Sequence, residues 1–126
     1  MKSTIFPSLI EAIELHKELI KRFGGIEGIR DLGLLESSLA RPQTGYYESL
    51  SLQGAALMQS LALNHSFVDG NKRMAFALTA IFLRMNGQKL IVSPKEGEDF
   101  LVRGVIEKKI PIQEIASWLE NHFRKI

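Results

Sequence analysis

The chain has 126 residues, of which 45% are hydrophobic and 24% charged, and its formal net charge is +2. This length predicts one domain, residues 1–126, that buries about two thirds of the surface its unfolded chain exposes. The sequence excludes disulfides and thiolate metal sites because it has no cysteine, and it shows neither a signal peptide nor a membrane-spanning apolar run, so we expect a cytoplasmic protein.

Apolar residues recur at helical spacing in six segments, and hardly any segment alternates as a strand would. The predicted helices cover residues 8–22, 34–39, 53–64, 71–85, 94–107 and 111–123. The fourth is apolar almost all round, which predicts a place in the middle of a bundle. The expected fold is therefore all-α, a single-domain bundle of about six helices around a buried central helix.

The segments between the predicted helices are rich in glycine, proline and asparagine, which end helices. Residues 43–50 are expected to form a loop or a small hairpin, and residues 89–92 a short extended segment. Ser93 and Glu96 have the spacing of a capping box, with Pro94 at the first helical position.

Between the third and fourth helices the chain reads HSFVDGNKRMA, from His65 to Ala75. The start of the fourth helix offers free backbone N–H groups and a partial positive charge, and both favour anions. Gly70 allows a phosphate to approach the backbone closely. Lys72 and Arg73 add positive charge in the first turn, where the helix dipole disfavours it unless an anion compensates.

Two further side chains of this stretch supply chemistry that phosphates need. Asp69 places a carboxylate beside the anion site, and Mg²⁺ prefers one or two carboxylates together with phosphate oxygens. His65, at the end of the third helix, suits a general base working near neutral pH. Phe67 is expected to fill the core under the turn. A base, a metal ligand and an anion cradle together indicate phosphoryl or nucleotidyl transfer.

Purely structural roles are the alternative for each residue. Asp69 or Asn71 caps a helix in that case, His65 is a satisfied core histidine, and Lys72 and Arg73 extend into solvent. The P-loop pattern is absent. His16 lies on an apolar face and His122 is expected to be exposed, which argues against a multi-histidine zinc site.

The stretch resembles the signature of the Fic/Doc superfamily, H-x-F-x-[D/E]-G-N-G-R-x-x-R. The matching residues are His65, Phe67, Asp69, Gly70, Asn71 and Arg73. Lys72 replaces the second motif glycine and Phe76 the final arginine. Both departures, and Ala75, are similar to the Doc ("death on curing") branch. The resemblance extends from Leu15 to Pro42, where Gly24, Gly25, Arg30 and Asp31 are expected to be structural.

This resemblance implies a Fic fold and a set of roles. His65 would be the base that deprotonates a target hydroxyl, and Asp69 would hold Mg²⁺. Gly70, Asn71, Lys72 and Arg73 would bind the phosphates of ATP. Residues 42–50, with Tyr46 and Tyr47, would be the flap that docks the target, although this tyrosine pair is equally consistent with plain packing.

Doc-type proteins are kinase toxins that phosphorylate elongation factor Tu, stop translation and are neutralised by a small Phd-type antitoxin, so these partners are implied too. Fic-type proteins instead transfer AMP, and their final motif arginine orients ATP. Phe76 at that position argues against AMP transfer, since an apolar ring cannot pair with a phosphate, and Lys72 could take part of the arginine's role.

The self-inhibitory pattern [S/T]-x-x-x-E-[G/N] of many Fic proteins is absent, so restraint is expected from a separate chain. AMP transfer remains the first alternative function. A non-catalytic module that binds a nucleotide or nucleic acid is the second, although the weak charge bias gives no reason to expect direct nucleic-acid binding.

Overall fold

The computed structural model describes residues 3–126, which form helices joined by short loops. The α-helices are α1 Leu9–Phe23, α2 Leu32–Ala40, α3 Leu50–Leu63, α4 Asn71–Met85, α5 Pro94–Asp99 and α6 Ile112–His122. A 3₁₀ turn, Arg41–Gln43, follows α2, and a π-helical segment, Phe100–Glu107, continues α5. The predicted all-α bundle of about six helices is confirmed for the described residues, and α4 has the predicted bounds.

Two short strands, β1 Gln88–Leu90 and β2 Phe123–Lys125, pair antiparallel, with Leu90 opposite Phe123. β1 overlaps the expected extended segment at residues 89 and 90 but begins one residue earlier. Of the two alternatives for residues 43–50, the loop is confirmed, because residues 44–49 are irregular. The strand pairing therefore lies between residues 88–90 and 123–125 and not within residues 43–50. It forms there because the chain leaves α6 in an extended conformation at Phe123 and runs beside β1.

The most enclosed helix is α3, whereas the sequence favoured α4 for the centre. α3 packs against α2, α4, α6 and the π-helical segment. Its small residues let neighbours approach closely; a Cβ on Gly54 would lie only 3.3 Å from a methyl of Leu119 in α6. α4 buries one face and leaves Ile81 and Arg84 exposed.

Capping residues begin α1 and α5 in different ways. Ser8 and Glu11 form a complete capping box, and the Ser8 backbone N–H and hydroxyl hold the pKa of the Glu11 carboxyl below its ordinary value. Ser93 accepts a hydrogen bond from the Glu96 backbone N–H, which is half of the predicted box. The Glu96 carboxylate lies 3.5 Å from the imidazole of His122 instead.

His122 is half-buried rather than exposed as expected. Its ring stacks on Trp118 at 4.2 Å, and Trp118 stacks on Phe100 at 4.0 Å between ring centroids. His122 also shares a 2.6 Å hydrogen bond between Nδ1 and the Trp118 carbonyl. This stack fixes α6 against the π-helical segment.

The half-buried ring of Phe76, in α4, lies directly against the backbone of Gly97 in α5. A Cβ built on Gly97 would approach Phe76 ring atoms to 2.6 and 2.7 Å. Phe76 therefore serves as the surface on which α5 is seated. None of the helices in residues 3–126 is both long enough and apolar enough to cross a membrane.

The contact between Phe76 and Gly97 predicts an unusual effect of an alanine substitution. In an open helix, glycine to alanine raises the free energy of unfolding by up to about 1 kcal/mol. We expect Gly97→Ala to lower it by roughly 1–3 kcal/mol in urea unfolding, because the added methyl overpacks the ring.

Gly33→Ala in α2 is the matched control, since its nearest neighbouring atom would be 3.4 Å away, and it should be neutral or stabilising. Phe76→Leu should recover part of the Gly97→Ala loss. Equal unfolding free energies for the two alanine variants would contradict this account.

Candidate active site

The segment between α3 and α4, residues 64–70, is termed the motif loop, and residues 24–31 are termed the α1–α2 loop. Backbone hydrogen bonds join the two. The N–H groups of Arg30 and Asp31 donate to the Ser66 carbonyl at 2.8 and 3.0 Å, and the Val68 N–H donates to the Gly28 carbonyl at 3.0 Å. An isolated antiparallel bridge pairs residue 29 with residue 67. This pairing was not predicted from the sequence.

Arg30 and Asp31 also bind through their side chains, in keeping with the structural role expected for them. Arg30 Nε donates to the His65 carbonyl and Nη2 to the Asn64 carbonyl, at 2.5 and 3.2 Å. These carbonyls follow the last turn of α3, so Arg30 closes that end of the helix. Asp31 caps α2 by accepting a hydrogen bond from the Leu34 N–H at 3.0 Å.

His65 lies two residues beyond the last residue of α3 and is exposed. The alternative of a core histidine is therefore wrong. Its φ of +51° is in the left-handed region, which a residue other than glycine adopts at a cost of about 1–3 kcal/mol. The Arg30 hydrogen bond to its carbonyl helps to hold this conformation.

Asp69 presents an exposed carboxylate whose two oxygens are both oriented by backbone N–H groups. Oδ1 accepts from Gly70 at 2.8 Å and Oδ2 from Ile26 at 3.1 Å. Gly25 makes this possible, because a Cβ there would lie 2.8 Å from Oδ2. A carboxylate offers about four lone-pair directions, so acceptor capacity remains for a cation.

The N-terminus of α4 has no side-chain cap, so the alternative in which Asp69 or Asn71 caps this helix is wrong. The N-cap residue is Gly70, in the left-handed region with φ +76°. The Met74 N–H donates to the Gly70 carbonyl at 2.9 Å, which leaves the preceding N–H groups of the first turn for another acceptor.

Lys72 and Arg73 are both exposed on this first turn, and within residues 3–126 neither forms a salt bridge. The Arg73 guanidinium lies 4.7 Å from the ring centroid of Phe23, a cation–π contact that holds it near the end of α1. Uncapped N–H groups and two cations together have the chemistry of an anion site.

Asn71 shapes the motif loop with its side chain. Its Oδ1 accepts from the Phe67 N–H at 3.0 Å and its Nδ2 donates to the Phe67 carbonyl at 2.9 Å. Phe67 is buried under the turn, as predicted, with 2% of its surface exposed. Because the Asn71 amide is engaged, the backbone N–H is the group through which this residue can bind a phosphate.

His16 and Ser66 are two buried polar residues next to the site. His16 reaches the motif loop from α1 through Nε2, which lies 2.8 Å from the Asp69 carbonyl. Ser66 is fully buried, and its hydroxyl has no hydrogen-bond partner in residues 3–126. The sequence marked His16 only as a histidine on an apolar face, and gave no signal for the unsatisfied serine.

The described residues contain no cluster of three or more metal-ligating side chains. A single carboxylate such as that of Asp69 is compatible with Mg²⁺, which is commonly bound by one or two carboxylates plus substrate phosphates. An open cleft of about 450 Å³ adjoins the α1 side of the motif loop, lined by Ile13, His16, Lys17, Glu27, Gly28, Ile29 and Phe67. His65, Asp69 and Lys72 lie outside this lining.

Comparison with known proteins gives two kinds of match. The sequence model of the Fic/DOC family matches residues 7–83, which include both loops. "Toxin Doc" of Mycolicibacterium smegmatis is 52% identical over 73 residues, 54% of this chain and 56% of that protein. "Protein kinase doc" of Escherichia phage P1 is 34% identical over 115 residues, 88% of this chain and 90% of that protein.

Two fully buried serines should respond oppositely to alanine. Ser66→Ala should leave the free energy of unfolding unchanged or raise it, because an unsatisfied buried hydroxyl costs about 1–3 kcal/mol. Ser38→Ala should lower it by about 1 kcal/mol or more, since the Ser38 hydroxyl donates to the Leu34 carbonyl and accepts from Asn64. Urea unfolding of both variants tests this, and a larger loss for Ser66→Ala would refute it.

Proposed function

The chain belongs to the Doc branch of the Fic/DOC family, and on this basis we propose that it is the toxin of a toxin–antitoxin pair. In this proposal it transfers the γ-phosphate of Mg-ATP to a Ser or Thr hydroxyl of a target protein. The observation that carries the proposal is the uncapped, cationic start of α4, which follows an exposed histidine and an oriented carboxylate in the same loop.

His65 is the proposed general base. As the target hydroxyl oxygen bonds to the γ-phosphorus, His65 takes the hydroxyl proton, the bond to the β,γ-bridging oxygen breaks, and ADP leaves. An imidazole suits this step because its proton affinity matches neutral pH. The left-handed backbone that exposes His65 supports the assignment, because strain of this kind concentrates at functional sites.

The start of α4 is the proposed phosphate cradle. Backbone N–H groups of Asn71, Lys72 and Arg73 bind phosphate oxygens, and the two side chains add full positive charges. Asp69 would hold Mg²⁺ together with phosphate oxygens, and the ion, when bound, neutralises negative charge on the transferring group.

Phe76 favours phosphate transfer over AMP transfer. AMP transfer needs a group that orients ATP for attack at the α-phosphate, and Fic-type sequences have an arginine here. In this chain the position holds an apolar ring that packs against Gly97, and such a ring cannot pair with a phosphate.

Elongation factor Tu is the proposed target, and arrest of translation the proposed effect. A separate Phd-type antitoxin is the proposed partner, since the sequence lacks the self-inhibitory pattern of many Fic proteins. The names of the two relatives, one a toxin and one a protein kinase, support the same assignment.

Phosphate transfer and AMP transfer can be distinguished by labelling ATP at either the γ- or the α-phosphate. Label from γ-labelled ATP should appear on elongation factor Tu and label from α-labelled ATP should not, with Mg²⁺ required in the assay. His65→Ala should reduce transfer by at least about 100-fold, the range of general base catalysis. His122→Ala, which removes the histidine of α6 away from the motif loop, is the matched control and should retain transfer.

Other outcomes of this experiment support other functions. Label arriving only from α-labelled ATP would replace phosphate transfer with AMP transfer. Growth arrest that survives His65→Ala but disappears with Arg73→Ala would indicate a non-catalytic binding module.

If the phosphates bind at the start of α4, removing a positive charge should weaken nucleotide binding at the N-terminus of this helix and not at its C-terminus. Arg73→Ala should weaken binding of a non-hydrolysable ATP analogue by roughly 10- to 100-fold in calorimetry, because a hydrogen bond to a charged group contributes about 1.5–3 kcal/mol. Arg84→Ala, an exposed arginine in the last turn of the same helix, should leave binding unchanged. Equal losses in the two variants would contradict a phosphate site at the N-terminus.

A further inference from the structure

His16 lies in α1, 53 positions before Asp69 in sequence, and its side chain contacts the backbone of the motif loop. Only 2% of its surface is exposed. Its Nε2 lies 2.8 Å from the Asp69 carbonyl oxygen. Because a carbonyl only accepts hydrogen bonds, Nε2 carries the hydrogen and His16 is the donor. Its ring stacks on Phe67 with centroids 3.8 Å apart and planes within 7°.

The bonded carbonyl belongs to a rigid unit that also orients the Asp69 carboxylate. The Asp69 C=O and the Gly70 N–H lie in one planar peptide group, so fixing one fixes the direction of the other. That same N–H donates to Asp69 Oδ1 at 2.8 Å. His16 thus acts on the carboxylate through a single peptide plane.

Gly70, on one side of this peptide, leaves it free to turn if the donor is lost. Gly70 is left-handed with φ +76°, and a Cβ there would lie 3.6 Å from His16 Nε2. Glycine imposes little preference of its own on the backbone. The hydrogen bond from His16 in α1 therefore helps to set the orientation of this peptide.

We infer that His16 is a positioning residue of the active site, which fixes the Asp69–Gly70 peptide and through it the direction of the Asp69 carboxylate. The inference rests on the proposed function only where it concerns metal and phosphate. The geometric part concerns the protein alone and can be tested without ATP, metal or target.

Two substitutions separate the hydrogen bond of His16 from its stacking. His16→Phe keeps a ring against Phe67 and removes the donor. His16→Gln removes the ring and keeps an N–H donor at the end of the side chain. His122→Phe is the matched control, because His122 also bonds a backbone carbonyl and stacks on an aromatic ring, in α6.

The first measurement is amide hydrogen exchange by NMR in the protein free of nucleotide and metal. In His16→Phe the Gly70 and Ile26 amides, which bind the Asp69 carboxylate, should exchange about three- to tenfold faster, the equivalent of one lost hydrogen bond. Amides within α1 and α4 should be unchanged. His16→Gln should restore slow exchange at both positions, and His122→Phe should not affect them.

The second measurement is the affinity for Mn²⁺, used in place of Mg²⁺, with a non-hydrolysable ATP analogue present. His16→Phe should weaken it by about tenfold, the lower range for losing a group that orients a metal ligand, and His16→Gln should weaken it less.

Wild-type exchange at Gly70 and Ile26 in His16→Phe would overturn the inference. So would faster exchange throughout α1 in both His16 variants, which would assign His16 to helix packing. If wild-type protein fails to transfer phosphate while the exchange pattern is as expected, the proposed function fails and the positioning role stands.

Discussion

Three backbone hydrogen bonds join residues 28–31 of the α1–α2 loop to Ser66 and Val68 of the motif loop. An irregular segment between two buried helices must find partners for its N–H and C=O groups, because unpaired backbone groups away from water are costly. The α1–α2 loop supplies those partners from the other side of the turn. Because the α1–α2 loop pairs these backbone groups, the side chains of His65 and Asp69 are not needed for that purpose. Both residues remain exposed.

The helices were predictable from the sequence because they follow short-range patterns, and the polar residues of the motif stand together in one short stretch. Apolar spacing defines α4, and the polar stretch before it contains the residues of the proposed base, metal ligand and phosphate site. The loop pairing was not predictable, because a single bridge between residues 29 and 67 has no period to detect. The contacts of Arg30, Ile26 and His16 with the motif loop likewise span 35, 43 and 53 positions. They appear only once α1 is placed against the loop.

Side-chain size explains why the centre of the bundle was assigned to the wrong helix. The sequence favoured α4 because apolar residues occur almost all round it, but enclosure depends on how closely neighbouring helices can approach. Gly54 and the alanines of α3 let α6 and α4 come closer than larger side chains would. Phe76 shows the same limit of sequence reasoning: the missing arginine was evident, but only the structure places the ring on Gly97. Restoring an arginine there would therefore also remove the surface on which α5 is seated.

Features that oppose stability are concentrated in one turn. His65 is left-handed, the Ser66 hydroxyl is buried without a partner, the first turn of α4 lacks a cap, and Lys72 and Arg73 place like charges against the helix dipole. Each costs on the order of 1 kcal/mol. Nearby hydrogen bonds offset these costs. They join the Asn71 side chain to the Phe67 backbone, Arg30 to the His65 carbonyl and His16 to the Asp69 carbonyl. Departures from local rules are expected where function requires them, and an anion at the start of α4 would relieve two of the four, the missing cap and the adjacent positive charges.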